Sequence, residues 1–200
     1  MNIISMLIGV VGLNGSGKDS VAEHLVSNYG FAHEDFGQEI RDELKKLGKN
    51  HLDRNEMVAL ANERRAAFGG DYWAKRLLAK HAPNENLVIT SIRNPSEVEL
   101  LKENGTILVE VFVDIETRYK RTVKRVKDDP GTHGDIVSFE DFKSKEEREL
   151  SSTDPSKQQL IKCIKSAKYR LDNSGSLEEL HQKVDEMMLK LGDNEGVDLK

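Results

Sequence analysis

The chain has a single cysteine, four prolines and 6% aromatic residues, and no apolar run long enough to span a bilayer. Each scarcity excludes something. One cysteine, Cys163 in "LIKCIKSA", cannot form an intrachain disulfide, so the chain suits a reducing, cytoplasmic setting and Cys163 reads as a small core residue. The opening "MNIISMLIGVVG" is apolar but too short for a membrane span and carries no basic segment before it, so no membrane partner is expected. Positive charge is not in excess: the formal net charge is -5, which gives no electrostatic reason to expect nucleic acid. Six histidines are scattered without a metal-ligand spacing. What remains is ordinary soluble composition, 37% hydrophobic and 32% charged over 200 residues, enough for one cored domain and a small-molecule partner.

Strand-like and helix-like segments alternate. Residues 3 to 11 form a β-branched apolar run, as a strand buried on both faces requires. "KDSVAEHLVSNYG" follows as a helix stopping at Gly30, then "FAHEDF" as a short strand and "GQEIRDELKKLG" as a helix. Asp53 opens another helix that stops at Gly69 and Gly70, and "DYWAKRLLAKH" is a further one, with Trp73 and Tyr72 read as core ahead of a base-stacking platform. "NLVITSI" and "TILVEVFV" are buried strands flanking the helix "PSEVELLKENG", and Asp114 caps "DIETRYKRTVKRVK". After a polar stretch come the helices "SKEERELSS" and "QQLIKCIKSA", a short strand in "KYRLDNSG" and a final helix from Ser176. The expected fold is α/β, with a central parallel sheet, as one domain over 1–192 followed by a flexible tail over 193–200.

"GLNGSGKDS" carries the chemistry. Gly12, Gly17 and Lys18 have the GxxxxGK spacing between a predicted strand and helix. Glycines at 12, 15 and 17 let successive N–H groups face phosphate, with Asn14 and Ser16 between them and Lys18 in reach of the β- and γ-phosphates. ATP and Mg²⁺ are therefore expected. Asp19 stands where a metal-binding hydroxyl is usual. Either Asp19 takes the metal through water, or Ser20 supplies the hydroxyl, or Asp19 is simply a first-turn acid favoured by the helix dipole.

"GSGKDS" resembles the GKD-type loop of phage deoxynucleoside monophosphate kinases and animal-type phosphomevalonate kinases, and the rest of the chain resembles the wider P-loop nucleotide kinase family. That family includes adenylate kinases, dephospho-CoA kinases and an archaeal group of nucleotide-kinase-like proteins. The resemblance implies a three-layer α/β/α P-loop NTPase fold with an acceptor-binding helical region near 36–82 and a helical lid near 126–148. In "FGQEIRDELKK" it implies acceptor-phosphate roles for Gly37 and Arg41, with Asp35 as a possible base or orienter of a metal-bound water. Arg93, after the strand "VITSI", is implied to hold phosphate, against the plainer reading of a surface cap. Thr90 stands where such kinases commonly carry an acid. Arg118, Arg121 and Arg125 share one helical face before the lid: a phosphate clamp by the resemblance, a solvated stripe by default. The resemblance also implies a site-facing Arg148 and an adenine border from Asn173 to Gly175. "DFG" at 35–37 lacks the catalytic-loop signature that a protein kinase needs. The function expected is ATP-dependent phosphorylation of a small nucleotide-like acceptor, first a nucleoside monophosphate. Dephospho-CoA and a non-catalytic ATP-sensing role are the alternatives.

Overall fold

Leu7–Val11 forms β1, with every residue buried. In the computed structural model, which describes residues 6–82, 84–128, 138–150 and 152–195 (without the side chains of 145, 148, 149 and 193–195), β1 lies at the centre of a parallel sheet. Its companions are β2 (Ala32–Asp35), β3 (Leu87–Thr90), β4 (Ile107–Phe112) and β5 (Tyr169–Asp172), in the spatial order β2-β3-β1-β4-β5. The connecting helices are α1 (Lys18–Tyr29), α2 (Phe36–Lys46), α3 (Arg54–Phe68), α4 (Tyr72–Leu78), α5 (Pro95–Glu103), α6 (Ile115–Asp128), α7 (Phe139–Leu150), α8 (Leu160–Lys165) and α9 (Leu177–Glu195).

The period of two along β1 builds three layers. Leu7 and Val11 join Phe36, Leu60, Trp73, Leu101 and Cys163 in an apolar cluster on one face, and Ile8 and Val10 join Val21, Leu25, Leu180 and Val184 on the other. Gly9 falls between them because a Cβ there would lie 2.6 Å from Leu108. Trp73 is wholly buried and donates its indole N–H to the Ala61 carbonyl, so it is core.

Local chemistry sets the helix ends. Gly30 closes α1 at φ 66°, Asp53 caps α3 through the Asn55 N–H, and Asp114 accepts from the Thr117 N–H at 2.8 Å. Boundaries depart from the sequence expectation: α9 runs to Glu195, into the segment 193–200 expected as a flexible tail, of which 196–200 lie outside the described residues, as do 3–5 of the expected first strand. The helix read from "SKEERELSS" begins earlier, at Phe139, because the Ser138 hydroxyl accepts the Asp141 N–H and starts it there. Of the expected lid, 129–137 lies outside the described residues, as does the side chain of Arg148. Among the described residues no helix is long and apolar enough to cross a membrane.

Candidate active site

Chain direction reverses around β1, whose neighbours β3 and β4 lead to opposite halves of the sheet, and ligands of open parallel sheets bind at that point beyond the strands' carboxyl ends. There the chain turns through the glycine loop into α1. Gly15 and Gly17 sit at φ 77° and 95°, and a Cβ on them would lie 2.9 Å from the Arg118 carbonyl and 2.3 Å from Asn173 Nδ2. Both conformation and packing therefore require glycine. Asn173, just past β5, braces the loop by donating Nδ2 to the Ser16 carbonyl at 2.8 Å.

The loop borders an open pocket of about 160 Å³ lined by Gly15, Gly17, Lys18, Asp19, Ser20, Arg121 and Arg125. Lys18 Nζ turns back to the Leu13 carbonyl at 3.0 Å. Loss of solvent, followed by the charge of Arg93 and, more weakly, of Arg125 and Arg118, pulls its pKa down to about 7 against the opposing pull of Asp19. A lysine so crowded by cations is stabilised by any anion that enters. Arg121 Nη2 donates to the carbonyls of Asn173 at 2.9 Å and Gly175 at 3.4 Å, which brings α6 and the segment after β5 to one wall of the pocket. The Ser16 hydroxyl is buried without a hydrogen-bond partner.

Arg118 corrects the three-arginine stripe. It is 3% exposed and does not line the pocket. Its Nε donates to the Val113 carbonyl at 3.0 Å, its Nη1 to the Asn14 carbonyl at 3.4 Å, and its two Nη atoms form a fork on the Glu146 carboxylate, with Nη2 at 2.8 Å. The guanidinium is thus used up joining α6, the glycine loop and α7, while Arg121 and Arg125 face the pocket.

On the acceptor side, Asp35 caps α2 by accepting the Gly37 N–H at 3.0 Å and meets Arg41 Nη1 at 3.4 Å. Burial pushes its carboxyl up, but the Ser91 hydroxyl, the Gly37 N–H and the Arg41 charge together hold it below the usual carboxylate range. Asp35 pairs in register with Thr90, whose hydroxyl lies 3.4 Å away, so a carboxylate from the adjacent strand stands beside Thr90. Ser91 next to it holds φ 61°, a conformation that non-glycine residues enter only when their surroundings impose it. Arg93 then stretches from the end of β3 toward the loop, donating to Asn14 Oδ1 and Gln158 Oε1, each at 3.4 Å.

Sequence reasoning missed Glu146, Gln158 and a buried pair behind Arg93, Arg65 and Glu97, with Arg65 Nη2 and Glu97 Oε1 2.8 Å apart. Arg65 and Glu146 stand as single charged residues in polar helical runs and Gln158 precedes α8 outside any helix, so the one local signal was the capping-box spacing from Asn94 to Glu97. Among the described residues no cluster of three histidine, cysteine or acidic side chains could hold a metal. Asp19 and Ser20 in the pocket are hard oxygen donors, which suit Mg²⁺ carried together with phosphates.

A parallel sheet in this order, with a glycine loop entering a helix from its central strand, is that of a P-loop kinase-like protein. The chain belongs to the AAA domain family AAA_18, whose sequence pattern matches residues 8–150. It is 28% identical to a UPF0200/UPF0201 protein of Archaeoglobus fulgidus over 97% of its own length, and it spans 58% of that relative. A Thermococcus kodakarensis protein named "Putative adenylate kinase" is 31% identical over 50% of this chain and 57% of its own. Among solved structures, shikimate kinase from Acinetobacter baumannii in complex with shikimate superposes with a TM-score of 0.52 at 20% identity, covering 94% of this chain and 95% of that one, a likeness of fold.

Proposed function

We propose that the chain is an ATP-dependent phosphotransferase acting on a small nucleotide-like acceptor, with nucleoside monophosphates as the acceptor class. The observation that carries this reading is the convergence of cations from three elements: Lys18 from the loop, Arg93 from the end of β3, and Arg121 and Arg125 from α6. Lys18 is depressed to about 7 until an anion arrives. Polyphosphate matches that demand, and the T. kodakarensis relative's name points to nucleotides.

In this reading Gly12, Asn14, Gly15, Ser16, Gly17 and Lys18 hold the phosphates of ATP, and Asn173 and Gly175 border its base. Gly37, Arg41, Arg93 and Arg148 receive the acceptor phosphate. An acceptor oxygen attacks the γ-phosphorus in line, and the bond to the β–γ bridging oxygen breaks with its electron pair leaving on ADP. Lys18, Arg121 and Arg125 offset the charge that develops on the transferring group. Asp19 through a water, or Ser20 through its hydroxyl, would hold Mg²⁺, which would supply neutralisation of phosphate charge. The chain is read as one domain, 1–192, with a lid near 126–148 that keeps water from the transferring group, its residues 129–137 lying outside the described ones. A lone buried cysteine accords with a reducing, cytoplasmic setting.

A second reading, a hydroxyl acceptor as in dephospho-CoA, is favoured by the place of the Asp35 carboxylate beside Thr90 at the carboxyl ends of β2 and β3, where it could take the hydroxyl proton. A phosphate acceptor is already anionic and needs no such base. Coupled ADP production with Mg-ATP, over nucleoside monophosphates, dephospho-CoA and a no-acceptor control, separates the two. Turnover with a nucleoside monophosphate supports the reading, turnover with dephospho-CoA alone moves it to the hydroxyl class, and tight ATP binding with no acceptor effect replaces it with an ATP-sensing role.

A further inference from the structure

Directly behind Arg93 lies a pair of opposite charges that the phosphoryl transfer leaves unused. The side chains of Arg65, near the end of α3, and Glu97, in the first turn of α5, are 1% and 0% exposed. Arg65 donates Nε and Nη2 to Glu97 Oε1 at 2.9 Å and 2.8 Å. The other oxygen, Oε2, accepts the backbone N–H groups of both Arg93 and Asn94, each at 2.9 Å. Glu97 also completes a capping box with Asn94. A glutamine at this position would serve a capping box equally well. Burying two full charges is costly, and apolar replacements of such pairs are often neutral or stabilising, so stability alone does not account for this matched pair.

The hydrogen bonds supply another account. Glu97 grips the main chain of Arg93, the residue whose guanidinium spans from Asn14 of the glycine loop to Gln158. Arg65 ties that grip to α3, which packs against α2, the helix that carries Arg41. Burial, followed by the Glu97 charge, pushes the nearby Cys163 thiol up to about 12. We propose that Glu97 is a positioning residue for Arg93, and that Arg65 makes this setting depend on the placement of the acceptor-side helices. Acceptor capture on α2 and α3 and the aiming of Arg93 are then a single coupled event. The inference rests on the phosphotransferase reading, because that reading brings Arg93 to phosphate.

The test compares wild type, Glu97→Gln, Arg65→Gln and the double Gln variant at a temperature well below each melting point. ATP Kd, acceptor kcat/KM and the ¹⁵N resonance of the Arg93 Nε–H, assigned by Arg93→Lys, are the readouts. Glu97→Gln is expected to lower acceptor kcat/KM about tenfold or more with ATP Kd held within about twofold, and the double variant to recover to within about threefold of wild type. Equal losses for ATP and acceptor, or a lowered melting point with unchanged kinetics and an unmoved Arg93 resonance, overturn the proposal. If no acceptor turns over even in wild type, an Arg93 resonance that shifts in Glu97→Gln and returns in the double variant upholds the positioning role while the kinase reading fails. Should Glu97→Gln not fold, the double Gln variant is compared with Arg65→Gln/Glu97→Leu, which removes the acceptor for the Arg93 N–H. Equal Arg93 resonances and kinetics in those two refute the inference.

Discussion

Lys18 gives the sharpest prediction because its environment commits it to a proton balance. With a free-state pKa of about 7, the side chain is about 97% neutral at pH 8.5. Phosphate bound beside it restores the ammonium and returns the pKa to about 10 or above. Binding ATP at pH 8.5 must therefore take up close to one proton, about 0.9. The sign follows directly: the bound state holds the extra proton, so affinity falls as pH rises, by about tenfold per unit once the free lysine is neutral. Between pH 7.5 and 9 the expected loss is about 25-fold, or about 1.9 kcal/mol, in a range where the γ-phosphate is already mostly deprotonated. Titration calorimetry at pH 8.5 in two buffers of different ionisation enthalpy reads the proton directly. Lys18→Arg keeps the charge and should bind ATP with no uptake and a flat profile. A wild-type uptake near zero together with constant affinity from pH 7.5 to 9 would refute the claim that burial and Arg93 depress Lys18. The same depression has the opposite consequence for the unliganded fold. The unfolded chain holds more protons between about pH 7 and 10.4, so stability rises with pH across that window and the full penalty is present below it.

Gly17→Ala places a methyl 2.3 Å from Asn173 Nδ2 at φ 95°, so it should cost about 1–2 kcal/mol in backbone strain alone and weaken ATP binding at least about tenfold. A melting point and ATP Kd equal to wild type would contradict the tight packing of the loop. Glu146→Gln leaves the Arg118 charge buried without its counter-ion, an expected loss of about 3–5 kcal/mol in chemical denaturation. The combined Arg118→Met/Glu146→Met should lose less than that single change, and an equal or larger loss would mean that the ion pair is not what holds α7 to the loop. Arg41→Ala should raise the acceptor KM at least about tenfold while the ATP KM stays within about twofold, and the reverse pattern would remove Arg41 from the acceptor side.

Much of this architecture could be read from the chain, because its signals are local. The apolar run ending at Val11, the GxxxxGK spacing, the glycine at 30 and the acids at 53 and 114 act within one or two turns of where they stand. Arg118 could not be read this way. A spacing of i, i+3, i+7 puts three arginines on one side of a helix but does not say whether that side meets solvent, a pocket or another helix. Its partner Glu146 is 28 residues away, in a run where several acids looked alike. The Arg65–Glu97 pair was hidden for the same reason, at a separation of 32 residues, since charges in helical runs normally mean a solvated face. The position of Asp35 beside Thr90 depends on which residues of β2 and β3 stand opposite each other, and register is a property of the assembled sheet.

The two buried arginines have a common logic. Each neutralises a single carboxylate inside the protein, and each pair joins a helix flanking the cleft to the backbone of a site residue: Arg118 and Glu146 connect α7 to Asn14, Arg65 and Glu97 connect α3 to Arg93. Asn14 and Arg93 are themselves hydrogen-bonded at 3.4 Å, so the two struts meet at one contact between the glycine loop and the acceptor side. Displacement of either helix is therefore felt at that contact, because a buried ion pair loses much of its attraction when its geometry is lost and cannot regain it from water. If the struts work together, weakening one should change what the other contributes. Glu146→Gln and Glu97→Gln combined should depart from the sum of their separate effects on acceptor kcat/KM by about threefold or more, although the two acids sit in different helices. Strict additivity in that cycle would show two independent braces, leaving the Asn14–Arg93 contact without a coupling role.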